Sequence, residues 1–409
     1  MTQTRPTQTP PSAAPTEPTP TEPNPMESGL PEQVVAWRRH LHRHPELSFQ
    51  EHATARYVES VLRGFPHLNL SRPTPTSVLA VLRGTAGPGR TVLLRADMDA
   101  LPIQEDTGLD FASQTPGVMH ACGHDGHTAM LLGAAQVLSH SRETLHGEVR
   151  LLFQHAEELF PGGAQQLVDA GVMDGVDVAV GEHLMSQIPT GVIVLRDGAL
   201  LAAPDAFTLT IHGQGGHGAN PHETVDPVVL AAQVILAFQT VISRQRDPLE
   251  PAVLSVTTIH AGTAHNVIPD SAQLGGTVRT LDPALREAMP RRMEQIVQGL
   301  CAAYGATYTF DYVQGYRATI NDPATTALLR EVTAQTLGDA VTIHPGQPNM
   351  GGEDFSAYLS RAPGTFIIVG AGGDGQAPHH HPRFNFDERA LEHGLKLYVA
   401  AARRLTQPL

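Results

Sequence analysis

The stretch TVLLRADMD (91–99) decides the predicted fold, because an apolar run ends there and two acidic residues follow at once. The same order recurs three times along the chain. The later runs and the polar residues after them are VRLLFQ (149–154) before His155-Ala156-Glu157-Glu158, VDVAVG (176–181) before Glu182-His183, and TFIIVG (365–370) before the histidines 379–381. Helical patterns between the runs predict an α/β domain with a mostly parallel sheet and helices on both faces. Ligands bind beyond the carboxyl ends of such strands, so these polar residues are expected to share one pocket.

The middle of the chain has a different pattern, which predicts an inserted α+β domain over residues 201–314 with an antiparallel sheet. Three candidate strands alternate with two helical patterns there, at 205–215, 225–243, 252–262, 273–281 and 283–300. The sheet domain then comprises 27–200 and 315–409. Residues 1–26 are rich in Pro and Thr and have almost no large apolar side chains. Such a composition predicts a disordered tail.

Composition and charge exclude several classes of protein. The chain has 409 residues, a net charge of −14 and 41% hydrophobic residues. The acidic excess argues against binding to nucleic acid or to an anionic membrane. Two cysteines are too few for a disulfide scaffold. We find no run of about 18 apolar residues that would predict a transmembrane helix and no basic-then-apolar signal pattern, so a cytoplasmic protein is expected.

The strongest local signal for chemistry is HACGHDGH (120–127), which lies just before a predicted helix. The amides and the dipole of a helix N-terminus favour the thiolate form of cysteine, which is the form that binds metals. Cys122 and His124 have one glycine between them, so both side chains can turn towards one ion. A buried, inert cysteine beside capping histidines is the alternative. Three histidines and an aspartate in one short segment favour the metal site.

The adjacent carboxylates of Glu157 and Glu158 are the second signal. In an extended strand, neighbouring side chains point in opposite directions, so one carboxylate could bind metal while the other serves as general base to a water molecule. Acidic residues are also common at exposed helix N-termini. The position of this pair directly after a buried-type strand favours the catalytic interpretation.

Other polar residues near the strand ends give weaker signals. Asp97 and Asp99 share one strand face and could orient a ligand histidine, or they could form an acidic turn. His183 directly follows an apolar run and is a candidate ligand, although a single histidine there is often structural. The histidines 379–381 are a further candidate, and spacing alone does not say which of them binds.

The predicted insert has candidates of its own. His217 lies in a glycine-rich loop and could reach a substrate oxygen. The forked guanidinium of Arg279 could bind a substrate carboxylate, and Asn266 lies beside a strand-like run. Each of these would be an ordinary surface residue without further support. In the segment 350–354, glycines allow a close approach of the backbone, and the acids could equally cap the next helix.

Together these motifs resemble those of the metal-dependent N-acyl-amino-acid amidohydrolases, a family of aminoacylases, hippurate hydrolases, auxin-conjugate hydrolases and related carboxypeptidases. The resemblance extends from about residue 38 to residue 388. The motifs that carry it are RADMDALP (95–102), MHACGHDGH (119–127), AEE (156–158), GGHGANPHETVDP (215–227), GTAHNVIPD (262–270), GTVRT (276–280) and GGEDFS (351–356).

The resemblance implies two divalent metal ions per subunit (Zn, Mn, Co or Ni) and a role for each matching residue. The implied metal ligands are Cys122, His124, Glu158, His183 and His380. The implied catalytic residues are Glu157 as general base and His217, reaching from a partner subunit, as the group that stabilises the oxyanion. The implied substrate-binding residues are Asn266, Arg279 and Gly352. Asp97 and Asp99 match positions that orient the metal ligands.

The predicted function is metal-dependent hydrolysis of the amide bond of N-acyl amino acids, with hippurate-like or acetylated substrates. Glu157 is the general base, and a water molecule activated by two metals is the nucleophile. A dipeptidase or amino-acid carboxypeptidase on the same scaffold is the alternative, and a non-catalytic metal- or ligand-binding protein is a distant one. The resemblance also implies a homodimer or homotetramer, a lid and dimerisation role for the insert, and a small N-acyl amino acid or short peptide as the binding partner.

Overall fold

A computed structural model of the chain describes residues 29–373 and 375–408, so the predicted tail, 1–26, lies outside the described residues. The helices in these ranges are α1 (Leu30–Arg43), α2 (His52–Leu62), α3 (His124–His140), α4 (Ala164–Asp169), α5 (Pro227–Arg244), α6 (Pro283–Tyr304), α7 (Pro323–Leu337), α8 (Ser356–Leu359) and α9 (Ala390–Leu405). The strands are β1 (Leu68–Ser71), β2 (Val78–Arg83), β3 (Thr91–Asp97), β4 (Glu148–Gln154), β5 (Val178–Pro189), β6 (Val192–Val194), β7 (Gly198–Leu201), β8 (Ala203–His212), β9 (Gly216–His217), β10 (Ala252–Ala261), β11 (Val267–Ile268), β12 (Ser271–Thr280), β13 (Thr307–Val313), β14 (Thr319–Asn321), β15 (Thr342–His344) and β16 (Gly364–Gly372).

The main sheet has eight strands in the order β1-β2-β4-β3-β5-β16-β6-β15. Its central strands β4, β3, β5 and β16 are parallel neighbours. Antiparallel pairs join β2 to β4 on one side and β6 to β16 on the other. The central strands are largely buried, which explains why they appear in the sequence as unbroken apolar runs. The predicted α/β fold class is confirmed.

Helices cover both faces of the main sheet. On one face α1, α2, α3 and α9 contribute to a core that includes Val34, Leu131 and Tyr398. On the other face α4 and α8 contribute Leu167 and Tyr358 to a separate core. Two covered faces leave the strand ends as the place where polar side chains can gather.

A second, antiparallel sheet has the order β10-β12-β8-β13. Its core, which includes Phe207, Phe238 and Met289, is shared with α5 and α6. The strand β13 was not among those predicted, although its side chains alternate between half-buried and exposed. These elements lie between Ala203 and Val313, whereas the exact domain boundaries remain a prediction.

Among the described residues, α5 is the one helix that by length and composition alone could cross a membrane. One side of α5 packs in the second core through Leu230, Val234 and Phe238. A helix with one buried apolar side is also typical of a globular core. The expectation that the chain has no membrane partner therefore stays a prediction.

The strand β5 is longer than the sequence predicted. The apolar run 176–181 predicts a strand that ends before Glu182, but β5 continues to Pro189. Pairing with β16 up to Met185 carries the strand past the end of its apolar run. Glu182 and His183 are therefore consecutive residues of one strand and point to opposite faces of the sheet.

Candidate metal centre and active site

Imidazole, thiol and carboxylate groups gather where the loops after β3, β4 and β16 meet β5. Two groups have ligand atoms that all lie within 4.8 Å of one another: Cys122, His124 and His183, and Cys122, Glu158 and His380. A third such group joins the general-base candidate to two of these ligands: His124, Glu157 and Glu158. We call these six residues the metal cluster. The structure thus brings the five predicted ligands and the predicted base to one place.

A glycine turn presents Cys122 and His124 together. Gly123 lies between them with φ 92°, a conformation that glycine adopts at little steric cost. The helix α3 begins at His124, so both side chains lie at its N-terminus. The two side chains therefore lie close together, and their role as metal ligands stays a prediction.

Hydrogen bonds leave one ring nitrogen of His124 available. The Nδ1 atom lies 3.0 Å from the carbonyl oxygen and 3.2 Å from Oδ1 of Asp99. Since both partners can only accept a hydrogen bond when the carboxylate is ionised, Nδ1 carries a proton. Burial lowers the pKa of His124, but the carboxylates of Asp97 and Asp99 outweigh it and raise the pKa to about 10. In the metal-free chain Nε2 is therefore protonated as well, and a bound cation would replace that proton. Nε2 is buried and has no hydrogen-bond partner among the described residues. An oriented imidazole with an unused nitrogen fits a metal ligand.

The ring of His183 is oriented in the same way. Its Nδ1 donates to the carbonyl oxygen of Leu184 at 2.7 Å, and its Nε2 lies 3.5 Å from Sγ of Cys122. Burial, followed by the charges of neighbouring histidines, lowers the pKa of His183 well below its ordinary value. The ring is therefore neutral, which is the form that binds metals.

Asp97 orients a further imidazole behind the cluster. One carboxylate oxygen accepts from Nδ1 of His127 at 2.6 Å, and the other lies 2.6 Å from Nη1 of Arg95. The Nε2 atom of His127 accepts from the backbone N–H of Leu184 at 2.8 Å. The ring of His127 is thereby fixed with its centre 4.5 Å from that of His183. Asp97 thus holds His127, which was not among the predicted ligands, and the role of Asp97 in orienting a metal ligand stays a prediction.

The backbone at Ala156 lets both glutamates face the cluster. Ala156 has φ 52°, a left-handed conformation that costs roughly 1–2 kcal/mol for a residue other than glycine. Two carboxylates hold this turn, since Glu51 Oε1 accepts from N–H of Ala156 at 2.7 Å and Asp99 Oδ2 accepts from N–H of Glu158 at 2.9 Å. The chain is no longer extended, so Glu157 and Glu158 do not diverge as they would in a strand.

Glu157 lies in an acidic and buried environment. Burial, and then the carboxylates of Glu353 and Glu158, raise the pKa of Glu157 well above its ordinary value. Carboxylate oxygens of Glu157, Glu353 and Asp354 lie within 4.8 Å of one another. Arg95 contacts both Glu353 and Asp354, at 2.9 Å and 2.8 Å. Bound cations would favour the ionised form of Glu157, so its environment suits a group that takes up and returns a proton.

The environment of Cys122 differs from the sequence-based expectation. A helix N-terminus was expected to favour the thiolate. Burial, followed by the carboxylates of Glu158 and Glu157, instead raises the pKa of the Cys122 thiol well above its ordinary value. A coordinating cation deprotonates a thiol outright. The concentration of buried acidic groups around this sulfur therefore fits a site that holds positive ions.

The structure brings His380 to the cluster and leaves His381 outside it. The Nε2 atom of His380 lies 3.2 Å from Oε1 of Glu158. The backbone turns at His380, where φ is 64°, and its N–H donates to the carbonyl oxygen of Ala121 at 2.8 Å. His381 is half-buried, and its Nδ1 accepts from the N–H of Arg383 at 3.0 Å.

The predicted residues of the second sheet lie at its two ends. His217 is beside Asn266, because β9 and β11 pair there, and both side chains are exposed. Arg279 lies near the other end of β12, where it pairs with Pro204 of β8. From Ser271 to Arg279 the strand spans roughly 26 Å. One small substrate therefore cannot contact both His217 and Arg279 of the same chain.

Gly352 connects the second sheet to the metal cluster. A Cβ atom at Gly352 would lie 2.6 Å from Cγ of Pro204, so the loop approaches β8 closely here. Pro204 is the neighbour of Arg279, and the residue after Gly352 is Glu353 of the acidic group around Glu157. Arg279 and Gly352 thus lie on the Glu157 side of the second sheet.

Sequence reasoning assigned no role to several residues that hold the cluster together. Arg95 and Asp354 lie in the motifs 95–102 and 351–356. Their ion pair was not predicted because it joins residues far apart in the sequence. Glu51 gave no signal because its partner is the backbone of Ala156. Tyr316 also binds backbone, since its hydroxyl donates to the carbonyl oxygen of Glu157 at 2.9 Å.

Comparison with known proteins identifies the family. Residues 93–404 match the model of peptidase family M20/M25/M40. An N-acyl-L-amino acid amidohydrolase of Geobacillus stearothermophilus is 59% identical over 70% of this chain and 78% of its own length. Thermostable carboxypeptidase 1 of Saccharolobus solfataricus is 42% identical over 91% of this chain and 95% of its own length.

A solved structure has the same fold over nearly the whole chain. The YXEP protein of Bacillus subtilis, described as a dinuclear metal binding peptidase from the M20 family, has a TM-score of 0.83 and 36% identity, and the match covers 93% of this chain and 100% of that one. The chain belongs to peptidase family M20/M25/M40, which confirms both the resemblance and the predicted class of metal-dependent amide hydrolase.

Proposed function

We propose that this chain hydrolyses the amide bond of N-acyl amino acids by means of metal ions held in the metal cluster. The observation that carries the proposal is the buried, unused Nε2 of His124, which lies among the other ligand atoms and next to the carboxylate of Glu157. Relatives named for N-acyl amino acids and for carboxypeptidase activity support this substrate class.

The donor set suits two divalent ions. We propose that they are held by five residues: Cys122, His124, Glu158, His183 and His380. A thiolate, three imidazoles and a carboxylate are ligands that Zn, Mn, Co and Ni accept. When bound, such ions lower the pKa of a water molecule and polarise a carbonyl group.

Glu157 then moves the proton. It takes the proton of the attacking water and delivers it to the nitrogen of the leaving amine. Its backbone is held on both sides, by the turn at Ala156 and by the hydroxyl of Tyr316 on its carbonyl oxygen. These contacts involve only the backbone and do not occupy the carboxylate of Glu157.

The substrate carboxylate is proposed to bind at Arg279, with the backbone at Gly352 contacting the substrate beside it. Both residues lie on the Glu157 side of the second sheet. A guanidinium can bind a carboxylate through two parallel hydrogen bonds. This anchor would select an amino-acid product with a free carboxylate.

His217 and Asn266 are proposed to act on the site of a second copy in a homodimer. Their exposure, and their separation from Arg279 along β12, favour this arrangement. His217 would stabilise the negative charge that develops on the substrate oxygen. Asn266, its neighbour, would contact the substrate.

A substrate panel with controlled metal content tests the proposal. The purified chain is treated with a chelator, then supplied separately with Zn, Mn, Co or Ni, and assayed on N-acetyl amino acids, hippurate and dipeptides. We expect activity on N-acyl amino acids to disappear with chelation and to return with at least one metal. Cleavage of dipeptides alone would favour the dipeptidase alternative, and no cleavage with any metal would contradict the proposal.

A further inference from the structure

Two apolar side chains are exposed on the segment that carries the proposed base Glu157 and the proposed ligand Glu158. Leu159 and Phe160 follow Glu158 in the chain and are 54% and 51% exposed. The other exposed large apolar residues among those described lie between Val228 and Val313, apart from Ile320. Exposed apolar side chains gathered at one place commonly mark a binding surface.

Contacts with Tyr316 fix this patch relative to the general base. The ring centre of Tyr316 lies 5.9 Å from that of Phe160, while its hydroxyl donates to the carbonyl oxygen of Glu157 at 2.9 Å. Gly162, with φ 80°, lets the loop approach this ring so closely that a Cβ atom would lie 2.8 Å from Cε1 of Tyr316. The loop that carries Leu159 and Phe160 is therefore packed against the ring of Tyr316.

Hydrogen bonds on both sides show that the loop is well held. The N–H of Gly162 donates to the carbonyl oxygen of Leu159 at 2.9 Å, which closes a tight turn. The N–H of Gly163 donates to the carbonyl oxygen of Ala156 at 2.8 Å. The N–H of Ala164 donates to Oδ2 of Asp354 at 2.9 Å. Leu159 and Phe160 thus face solvent from a turn that is fixed at both ends.

We propose that Leu159 and Phe160, together with the ring of Tyr316, form an apolar wall that contacts a large apolar group of the substrate next to the scissile amide. The proposal rests on the proposed function and narrows its substrate class. Contact with the wall removes apolar surface from water, which favours aromatic and long aliphatic groups over small ones. The nearby carboxylates of Glu157 and Asp354 disfavour an acidic group at the same place.

The apolar group can come from the acyl half or from the amino-acid side chain, and three substrates separate these sources. N-acetylglycine has neither group, N-benzoylglycine has an aromatic acyl group, and N-acetylphenylalanine has an aromatic side chain. For the wild-type chain loaded with metal, we expect a higher kcat/KM for at least one aromatic substrate than for N-acetylglycine.

The variants Phe160→Ala and Leu159→Ala remove the wall. We expect Phe160→Ala to lower the ratio of kcat/KM between the favoured aromatic substrate and N-acetylglycine by about 10-fold, which is the scale of small apolar contacts in specificity. A fall with N-benzoylglycine assigns the wall to the acyl group, and a fall with N-acetylphenylalanine assigns it to the side chain. Phe160→Leu keeps apolar surface and should retain most of the ratio.

Leu249→Ala is the matched control, because Leu249 is 89% exposed in the loop after α5. It should leave the three ratios as in the wild type. Unchanged ratios in Phe160→Ala, or an equal fall on all three substrates together with a smaller sedimenting species, would overturn the wall and point to a subunit contact. If the wild type cleaved none of the substrates with any metal, the proposed function would fail and the wall with it.

Discussion

The main sheet and the second sheet present their predicted site residues in opposite ways. In the main sheet, ligands from loops about 260 residues apart in sequence meet within a few ångströms, because the carboxyl ends of parallel strands lie at one edge. In the antiparallel second sheet, His217 and Arg279 lie at the two ends of the strands. The proposed metal ligands are therefore complete in one chain, whereas the proposed substrate-binding residues are divided between two places.

The two regions also differ in how their polar groups are paired. Around the metal cluster, Asp97, Asp99 and Arg95 are buried and each has charged or hydrogen-bonded partners. His217 and Asn266 are exposed. Buried polar groups cost free energy unless they are paired within the fold. Exposed polar groups are solvated by water and remain available to contact a second molecule. This contrast predicts that substitutions around the metal cluster lower catalysis in the same chain. Substitutions at His217 and Asn266 are predicted to lower catalysis in the partner chain of the proposed dimer.

The largest expected effect is that of Glu157→Gln. The amide cannot take up the proton of water, so kcat should fall by at least about 100-fold. Metal content, measured by atomic emission, should remain that of the wild type, because the five ligands are untouched. Glu143→Gln is the control, since Glu143 is exposed in the loop after α3. Near-normal turnover in Glu157→Gln would remove this residue from its role.

Mixing two inactive variants tests whether the second region acts across copies. Glu157→Gln and His217→Ala should each have little activity alone. If His217 serves the partner's site, subunit exchange between them creates mixed dimers with one intact site, and about one quarter of wild-type activity should return for random pairing. The activity is followed before and after exchange by mild denaturant. No recovery in a mixture that is shown to exchange would place His217 in its own chain's site.

Tyr316→Phe probes the link between the two regions, because Tyr316 lies between β13 and β14 and contacts Glu157. Loss of one hydrogen bond, worth about 1 kcal/mol, should lower kcat about 5-fold and change KM little. Steady-state kinetics with N-acetylglycine measures both. Tyr304→Phe on α6 is the control and should match the wild type. A change confined to KM would assign Tyr316 to substrate contact alone.

The smallest expected effect is a pH-dependent change in stability at His42, which lies on α1. Nδ1 of buried His42 is 2.8 Å from Asp125, and Nε2 is 3.4 Å from Glu105. Burial lowers the pKa of His42, but these carboxylates outweigh it and raise the pKa above 6.5. The protonated ring therefore stabilises the fold fully below about pH 6.5, and this contribution is lost as pH rises through the folded-state pKa.

Urea unfolding of the metal-free chain measures this contribution. His42→Gln should lower the free energy of unfolding most at pH 6, and the difference from the wild type should shrink as the pH increases. His44→Gln is the control, because His44 is exposed. A difference that is constant with pH would show that His42 contributes by packing alone.

The sequence predicted those parts of the fold that depend on local patterns of apolar residues and glycines. Apolar runs gave β3, β4 and β16, but the end of β5 depends on pairing with β16, which a run of residues does not encode. Glycine and histidine spacing pointed to Cys122 and His124. The left-handed turn at Ala156 could not be foreseen, because it is held by Glu51 and Asp99 from distant segments.

The length of β12 has a consequence for how this protein can change. In the proposed dimer, β8 and β12 set how far His217 extends from its own subunit. Removing two residues from each strand would move His217 by roughly 6.6 Å while leaving that subunit's own ligands in place. In that dimer the defect would appear in the neighbour's catalysis, so the length of the second sheet would decide whether His217 reaches the partner's site.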